Sequence, residues 1–136
     1  MHSNIWGPPA WYFLHSVTLN YPDNPTYIDQ QNYKQFFHSL EYILPCKKCA
    51  LNYKKNMEEI PIDDFLSSKD LLIEWLINIH NKVNYELNKP IYNTNDMYNF
   101  INNYRLYNLS FTNILIILLI IVILSSIIYK IIYIYK

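Results

Sequence analysis

The chain has one glycine and two cysteines in 136 residues, and no charged residue between Leu106 and Tyr129. A single glycine, Gly7, excludes a glycine-rich phosphate loop and a dinucleotide fingerprint. Two cysteines exclude a disulfide-dense secreted scaffold and a four-cysteine zinc site. No acidic residue follows Asp96, so residues 1–104 carry a net charge of −3 and residues 105–136 carry +3. The folded part therefore lacks the basic stripe of a nucleic-acid binder. Met1 to Ala10 holds two prolines and no apolar run, so a secretory signal is not expected there. What is abundant is apolar: half the chain is hydrophobic (51%), and that share is concentrated unevenly.

Ile114 to Leu124 is an unbroken aliphatic run inside an uncharged stretch, Leu109 to Tyr129. A helix needs about 20 such residues to cross the hydrocarbon core of a bilayer. A core helix of a small domain is seldom apolar on every face for so many turns. We expect a transmembrane helix over 109–129, followed by a short basic and aromatic tail, 130–136. Tyr107, Tyr129, Tyr133 and Tyr135 suit an interfacial belt, and Lys130 and Lys136 can snorkel to headgroups. Ser125 and Ser126 are mild within it, because a hydroxyl can bond back to its own helix. A late insertion signal with no early one predicts a tail-anchored, single-pass protein whose residues 1–104 face the cytosol. The positive-inside tendency opposes this, since Lys130 and Lys136 would be translocated.

Residues 1–104 read as helical almost throughout, and no segment reads as a strand. Trp11, Leu14, His15 and Leu19 fall on one face of a helix over about 8–20, with Pro8 and Pro9 in its first turn. Tyr33, Phe36, Phe37 and Leu40 mark a second helix over about 29–43, ended by Pro45. A third runs from about Cys46 to Met57, and Pro61 to Phe65 is a linker. Ser67 or Ser68 can cap a fourth helix whose apolar stripe includes Leu72, Trp75, Leu76, Ile79 and Val83. Lys89-Pro90 closes it, and a short fifth helix is expected over about 96–104. The fold class predicted is all-α: a four-helix bundle with a short fifth helix, then the transmembrane helix.

Cys46-Lys47-Lys48-Cys49 directly follows Pro45 and opens the third helix. Two intervening residues put both sulfurs on one face of a first helical turn, within bridging reach. The helix N-terminus, with Lys47 and Lys48, favours the thiolate, the attacking species in disulfide exchange. The pair suits redox chemistry. Half a zinc site and two inert buried thiols are the competing readings. Zinc lacks a second cysteine pair, and His2, His15, His38 and His80 are too far apart in sequence for a local pair. A non-enzymatic membrane adaptor with a structural metal stays open on that reading. So does a flavin-free thiol–disulfide reductase or isomerase, although a thioredoxin fold needs strands.

Two further segments give the cysteines context: Trp6-Gly7-Pro8-Pro9-Ala10-Trp11-Tyr12-Phe13-Leu14-His15, and Trp75 through His80-Asn81-Lys82-Val83-Asn84 to Leu87-Asn88-Lys89-Pro90. By residue type alone they could surround a flat ligand: aromatic faces, ring hydrogen bonds and a lysine for phosphate. Such stripes are more often plain core. Together with Pro45-Cys46-Lys47-Lys48-Cys49, these segments resemble the ERV/ALR family of FAD-linked sulfhydryl oxidases, in the family's order and spacing over about residues 5–92. The chain looks most like the small membrane-anchored members found in large cytoplasmic DNA viruses.

The resemblance implies a bundle holding FAD, no metal, and oxidation of a thiol-bearing protein with O2 as electron acceptor and hydrogen peroxide as product. It places Gly7, Trp11 and His15 in a first FAD-contacting segment. Ile77, His80, Asn81, Val83, Asn84 and Lys89 fall in a second, with Asn52 a weaker match. It makes Cys46 the exposed interchange sulfur and Cys49 the one nearer the flavin. A homodimer and a small thioredoxin-like substrate protein are implied likewise. Three departures stand out. Asn88 replaces the family's frequent glycine, and Leu44 replaces the common aromatic before Pro-Cys. The extra cysteines of many members are missing, so electrons must enter Cys46–Cys49 directly. Contacts beyond Lys89 are not defined, with Tyr98 and Phe100 as candidates.

Overall fold

The structure is a computed structural model that describes residues 3–134, with side chains described over 4–104 and 111–133. His2 and the side chains of Arg105 to Ser110 and of Tyr135 and Lys136 lie outside the described residues. Among the described residues there are five α-helices and one short 3-10 helix: α1 (Ser3–Leu19), α2 (Tyr27–Ile43), α3 (Lys47–Glu59), the 3-10 turn Ile62–Phe65, α4 (Lys69–Glu86) and α5 (Thr94–Ile134). No strand occurs among the described residues, and the all-α class holds.

Local chemistry explains most boundaries. Thr26 caps α2 in a reciprocal box: its hydroxyl accepts from the Asp29 amide, and the Asp29 carboxylate accepts from the Thr26 amide. That box moves the start of α2 to Tyr27, ahead of the expected 29. Ser68 caps α4 by accepting from the Leu71 amide. The expected linker 61–65 instead closes into the 3-10 turn. The first helix starts at Ser3 rather than 8, so Pro8 and Pro9 lie inside it. A proline has no N–H to give the carbonyl four residues back, so Asn4 and Ile5 lose those partners. α4 ends earlier than Lys89. Leu87 is its C-cap, and Asn88 takes a left-handed conformation, φ 53°. Asn tolerates that region better than most residues, as glycine does at the same kind of cap.

The chain divides into two compact units, 1–101 and 102–136, and each is described by itself. In the first, α1 and α3 pack on α4, and α2 packs on α3. The main core joins Leu14, Phe37, Leu40, Met57, Trp75, Leu76 and Ile79 with the 3-10 residue Ile62. Three of its aromatic side chains give their polar hydrogens to backbone: Tyr21 Oη donates to the Leu66 carbonyl, Tyr53 Oη to that of Phe37, and Trp75 Nε1 to that of Ile60. Met97, at the start of α5, closes a second cluster with Ile73 and Ile77.

In the second unit, Phe111–Tyr133 is apolar and long enough to cross a membrane, and none of it is buried by protein. Ser125 and Ser126 donate to the carbonyls of Val122 and Ile123, so neither hydroxyl is left open. The expected short fifth helix and separate membrane helix are one helical element in sequence, because Asn102 to Phe111 contains no proline or glycine to interrupt it.

Candidate functional site

Two features of the first unit carry chemistry: a disulfide and a buried histidine pair. Cys46 and Cys49 form a disulfide with a Cα–Cα distance of 5.1 Å. Pro45 ends the preceding segment, and Cys46 is the N-cap of α3. Its sulfur accepts a hydrogen bond from the Cys49 amide at 3.2 Å. The free amides of a helix's first turn point toward such a group, and the helix dipole favours negative charge there. A thiolate released at this end is stabilised by both. Each cysteine is half-buried, while Lys47 and Lys48 between them are exposed.

His15 of α1 and His80 of α4 meet in the bundle, with Nε2 of His15 3.0 Å from Nδ1 of His80. Trp11 stacks on His80, with centroids 3.9 Å apart and planes 9° from parallel. Such stacking contributes about 1 kcal/mol beyond area burial. Both imidazoles are buried and are held neutral. Burial pushes His15 down to about 4, and burial with His15 and Lys89 nearby pushes His80 down to about 3. One ring donates to the other. His15 Nδ1 is buried and has no partner. An orphan of this kind costs about 1–3 kcal/mol, so it marks a place where another group can bond.

The end of α4 is tied to the segment after it. Asn81 Nδ2 donates to the Tyr92 carbonyl, and the Tyr92 amide donates to Asn81 Oδ1, both at 2.8 Å. Asn84 Nδ2 donates to the Pro90 carbonyl at 3.0 Å, and the Lys89 amide donates to the Asn84 carbonyl at 2.8 Å. Tyr92 is thereby set edge-on to His80, with Phe100 also at the edges of both histidines.

The expected residues fall into distinct groups. Trp11, His15 and His80 come together. Gly7 lies on the same helix, one turn before Trp11, and a Cβ built on it meets nothing within 4 Å. Asn81 and Asn84 spend their amide groups on the 90–92 segment, and the Lys89 side chain is exposed. Ile77 is buried in the second cluster, and Val83 is half-buried. Asn52 bonds Glu86 across α3 and α4 at 2.7 Å. Trp75, which shares a helix with His80, belongs to the core instead, edge-on to Phe37. Tyr98 is exposed and Phe100 is at the site. Tyr92 was not foreseen; its nearest signal is its place two residues after the Lys89-Pro90 stop.

A family model described as Erv1/Alr matches residues 8–105, nearly three-quarters of the chain. The chain belongs to the Erv1/Alr family. Among its relatives is a probable FAD-linked sulfhydryl oxidase of Acanthamoeba polyphaga mimivirus, 45% identical over 92 residues, covering 67% of this chain and 64% of the relative. The mitochondrial FAD-linked sulfhydryl oxidase ERV1 of Saccharomyces cerevisiae is 36% identical over 89 residues, covering 65% of this chain and 46% of that one. Against the crystal structure of the FAD-binding domain of Erv1 from Saccharomyces cerevisiae, the TM-score is 0.67 at 34% identity, over 71% of this chain and 90% of that one. The match thus spans less than two thirds of these two oxidases, but nearly all of that domain.

Proposed function

We propose that this Erv1/Alr chain is an FAD-dependent sulfhydryl oxidase that makes disulfides in a thiol-bearing protein through Cys46–Cys49. The observation that carries the reading is the disulfide at the capped N-terminus of α3, inside the family-matched region. The residues present fit FAD. His15 Nδ1 offers an unspent hydrogen-bonding atom, and the space over Gly7 is open. Trp11, His15 and His80 would hold the ring system, and Lys89, exposed at the end of α4, would meet phosphate. Asn81 and Asn84 support that end of the site from behind, through the backbone at 90–92. Asn52, Ile77 and Val83 complete the residues assigned to it.

The exchange steps belong to the protein. A substrate thiolate attacks Cys46 Sγ, the Cys46–Cys49 bond breaks, and Cys49 leaves as a thiolate held by the helix end. A second substrate thiolate attacks the mixed disulfide. Substrate departs oxidised, and Cys46 and Cys49 keep two electrons as a dithiol. When FAD is bound, it supplies a two-electron acceptor for that dithiol and a route to O2, giving hydrogen peroxide. The assignment of Cys46 as the attacked sulfur follows the family. With two cysteines in the chain, no internal shuttle pair can relay electrons.

Phe111–Tyr133 is the proposed membrane anchor, with the oxidase unit on the cytosolic side, where glutathione keeps most thiols reduced. A private substrate, such as a thioredoxin-like protein, and a homodimer through the first helices complete the proposal. Exposed Ile5 and Phe13 on α1 support the pairing.

The test is a visible spectrum and an oxygen-consumption assay on the full chain in detergent. A flavin band and dithiothreitol oxidation are expected. Cys49→Ser should abolish turnover and keep the flavin band. A colourless protein, or a Cys49→Ser variant with undiminished turnover, would sink the proposal.

A further inference from the structure

The exposed face of α3 departs from the rest of its unit in charge. Residues 1–104 are net acidic, yet Lys47, Lys48, Lys54 and Lys55 are all exposed on this one helix. They make up half of the lysines in that stretch, and no carboxylate occurs from Tyr42 through Met57. At 100° per residue they span about one third of the helix circumference. Leu51 lies among them, 61% exposed. Glu58 and Glu59 end the strip at the far terminus, where Glu59 bonds Lys82 and faces Lys55 at 3.7 Å. Glu41, before the disulfide, is spent on His38. Glu86 is spent on Asn52, at the side of α3 toward α4.

The apolar part of the strip continues across the disulfide. Tyr42 and Ile43 end α2 and are 80% and 67% exposed, although large apolar side chains are usually covered. Only Leu44 and Pro45 separate them from Cys46. Exposed apolar groups thus precede and follow the redox pair along the chain, with Lys47 and Lys48 between the cysteines and Lys54 and Lys55 after Leu51. This is the layout of a protein interface: a small apolar centre and a charged rim.

We propose that the α3 face of Lys48, Leu51 and Lys54, with Tyr42 and Ile43, is a docking surface for a thiol protein that carries carboxylates beside its reactive cysteine. The inference rests on the oxidase reading and names its substrate class. The unit is net acidic, so an acidic partner is attracted where these four lysines cluster without a carboxylate among them. The charge pattern therefore both selects the partner and turns its cysteine toward Cys46. An anionic lipid surface shares the charge preference, but a membrane laid on this face would cover the disulfide the substrate must reach.

The experiment compares three peptide dithiols, flanked by Asp, Asn or Lys, with dithiothreitol, using the full chain in neutral detergent. KM should rise in the order Asp, Asn, Lys, and the gap should shrink at high salt, because exposed charges are screened. Lys54→Glu should raise KM for the Asp peptide about fivefold and leave dithiothreitol turnover unchanged. Leu51→Gln should raise KM for all three peptides. A KM that ignores flanking charge and Lys54→Glu overturns the proposal. So does a Lys54→Glu effect confined to adsorption on phosphatidylserine vesicles, or to the oligomeric state. If the unaltered protein fails to oxidise dithiothreitol, the oxidase reading falls, and the docking surface with it.

Discussion

α4 and the stretch Phe111–Tyr133 are helices of comparable length, and both are built on isoleucine and leucine, but one is enclosed by protein and the other is not. α4 buries Leu72, Ile73, Trp75, Leu76, Ile77 and Ile79 inside its unit, and leaves Asp70, Glu74 and Glu86 to solvent. Phe111–Tyr133 buries nothing against protein and is apolar all round. Mean hydropathy is far higher in Phe111–Tyr133 than in α4, which carries charges and amides among its apolar residues. The angular distribution differs as well: an apolar stripe asks for a protein partner, and an apolar full circumference suits lipid. The two helices also differ in chemistry. α4 carries His80 and two working asparagines, while residues 111–128 contain no titratable side chain.

Acid should separate the two regions most sharply. His15 and His80 have folded values of about 4 and about 3, below the ordinary 6.5. The unfolded chain binds protons first, so their contribution is complete above about pH 6.5 and is lost as pH falls through 4 to 3. The loss approaches a maximum on the order of 3 kcal/mol for each ring, reduced by whatever the coupled pair shares. In detergent, near-ultraviolet circular dichroism from the buried aromatics should collapse, while helical signal from Phe111–Tyr133 persists. Coincident loss of both would break the comparison.

Packing comes next. Leu76 is fully buried at the centre of the core. Leu76→Ala should lower unfolding stability by about 2–5 kcal/mol and leave partition into bilayers unchanged. Chemical denaturation in micelles, beside vesicle flotation, measures both. The converse change is Ile120→Arg, which should weaken membrane insertion by about 3 kcal/mol and leave the melting of the first unit alone. An equal effect of either substitution on both readouts would mean that the two regions are not independent. The smallest expected effect is at the end of α4. Asn88→Gly suits its left-handed backbone and should change stability by under about 1 kcal/mol, whereas Asn88→Val should lose about 1–2 kcal/mol in the same assay.

Much of this was legible in the residues. Leu72, Trp75, Leu76 and Ile79 recur at helical spacing, and they form the core. Ser68 was a capping candidate, and it caps. The uncharged run after Asn108 read as a candidate membrane span, and Phe111–Tyr133 is a helix long and apolar enough to be one. The misplaced boundaries have local causes. The Thr26–Asp29 box is a short signal that was passed over, and prolines at 8 and 9 suggested a helix start that the chain sets five residues earlier. At the site, residue types and the resemblance named Trp11, His15 and His80, but not their mutual geometry. A ring-to-ring hydrogen bond across 65 residues of sequence has no local signature. The partners of Asn81 and Asn84 were equally hidden, because their acceptors are backbone carbonyls, which every residue possesses. Asn88, a departure from the family's usual glycine, turned out to meet the same backbone demand.

The Asn81 amide presents one donor and one acceptor to Tyr92, whose own N–H and C=O are paired by that one side chain. A side chain here does what a neighbouring strand would do. Residues 81–92 are closed into a loop by these two bonds. The turn after α4 is therefore held at two points, with Asn84 on Pro90 and Asn81 on Tyr92, which sets Tyr92 against His80. A segment without helix or strand of its own thereby gains the paired backbone groups that secondary structure would otherwise supply.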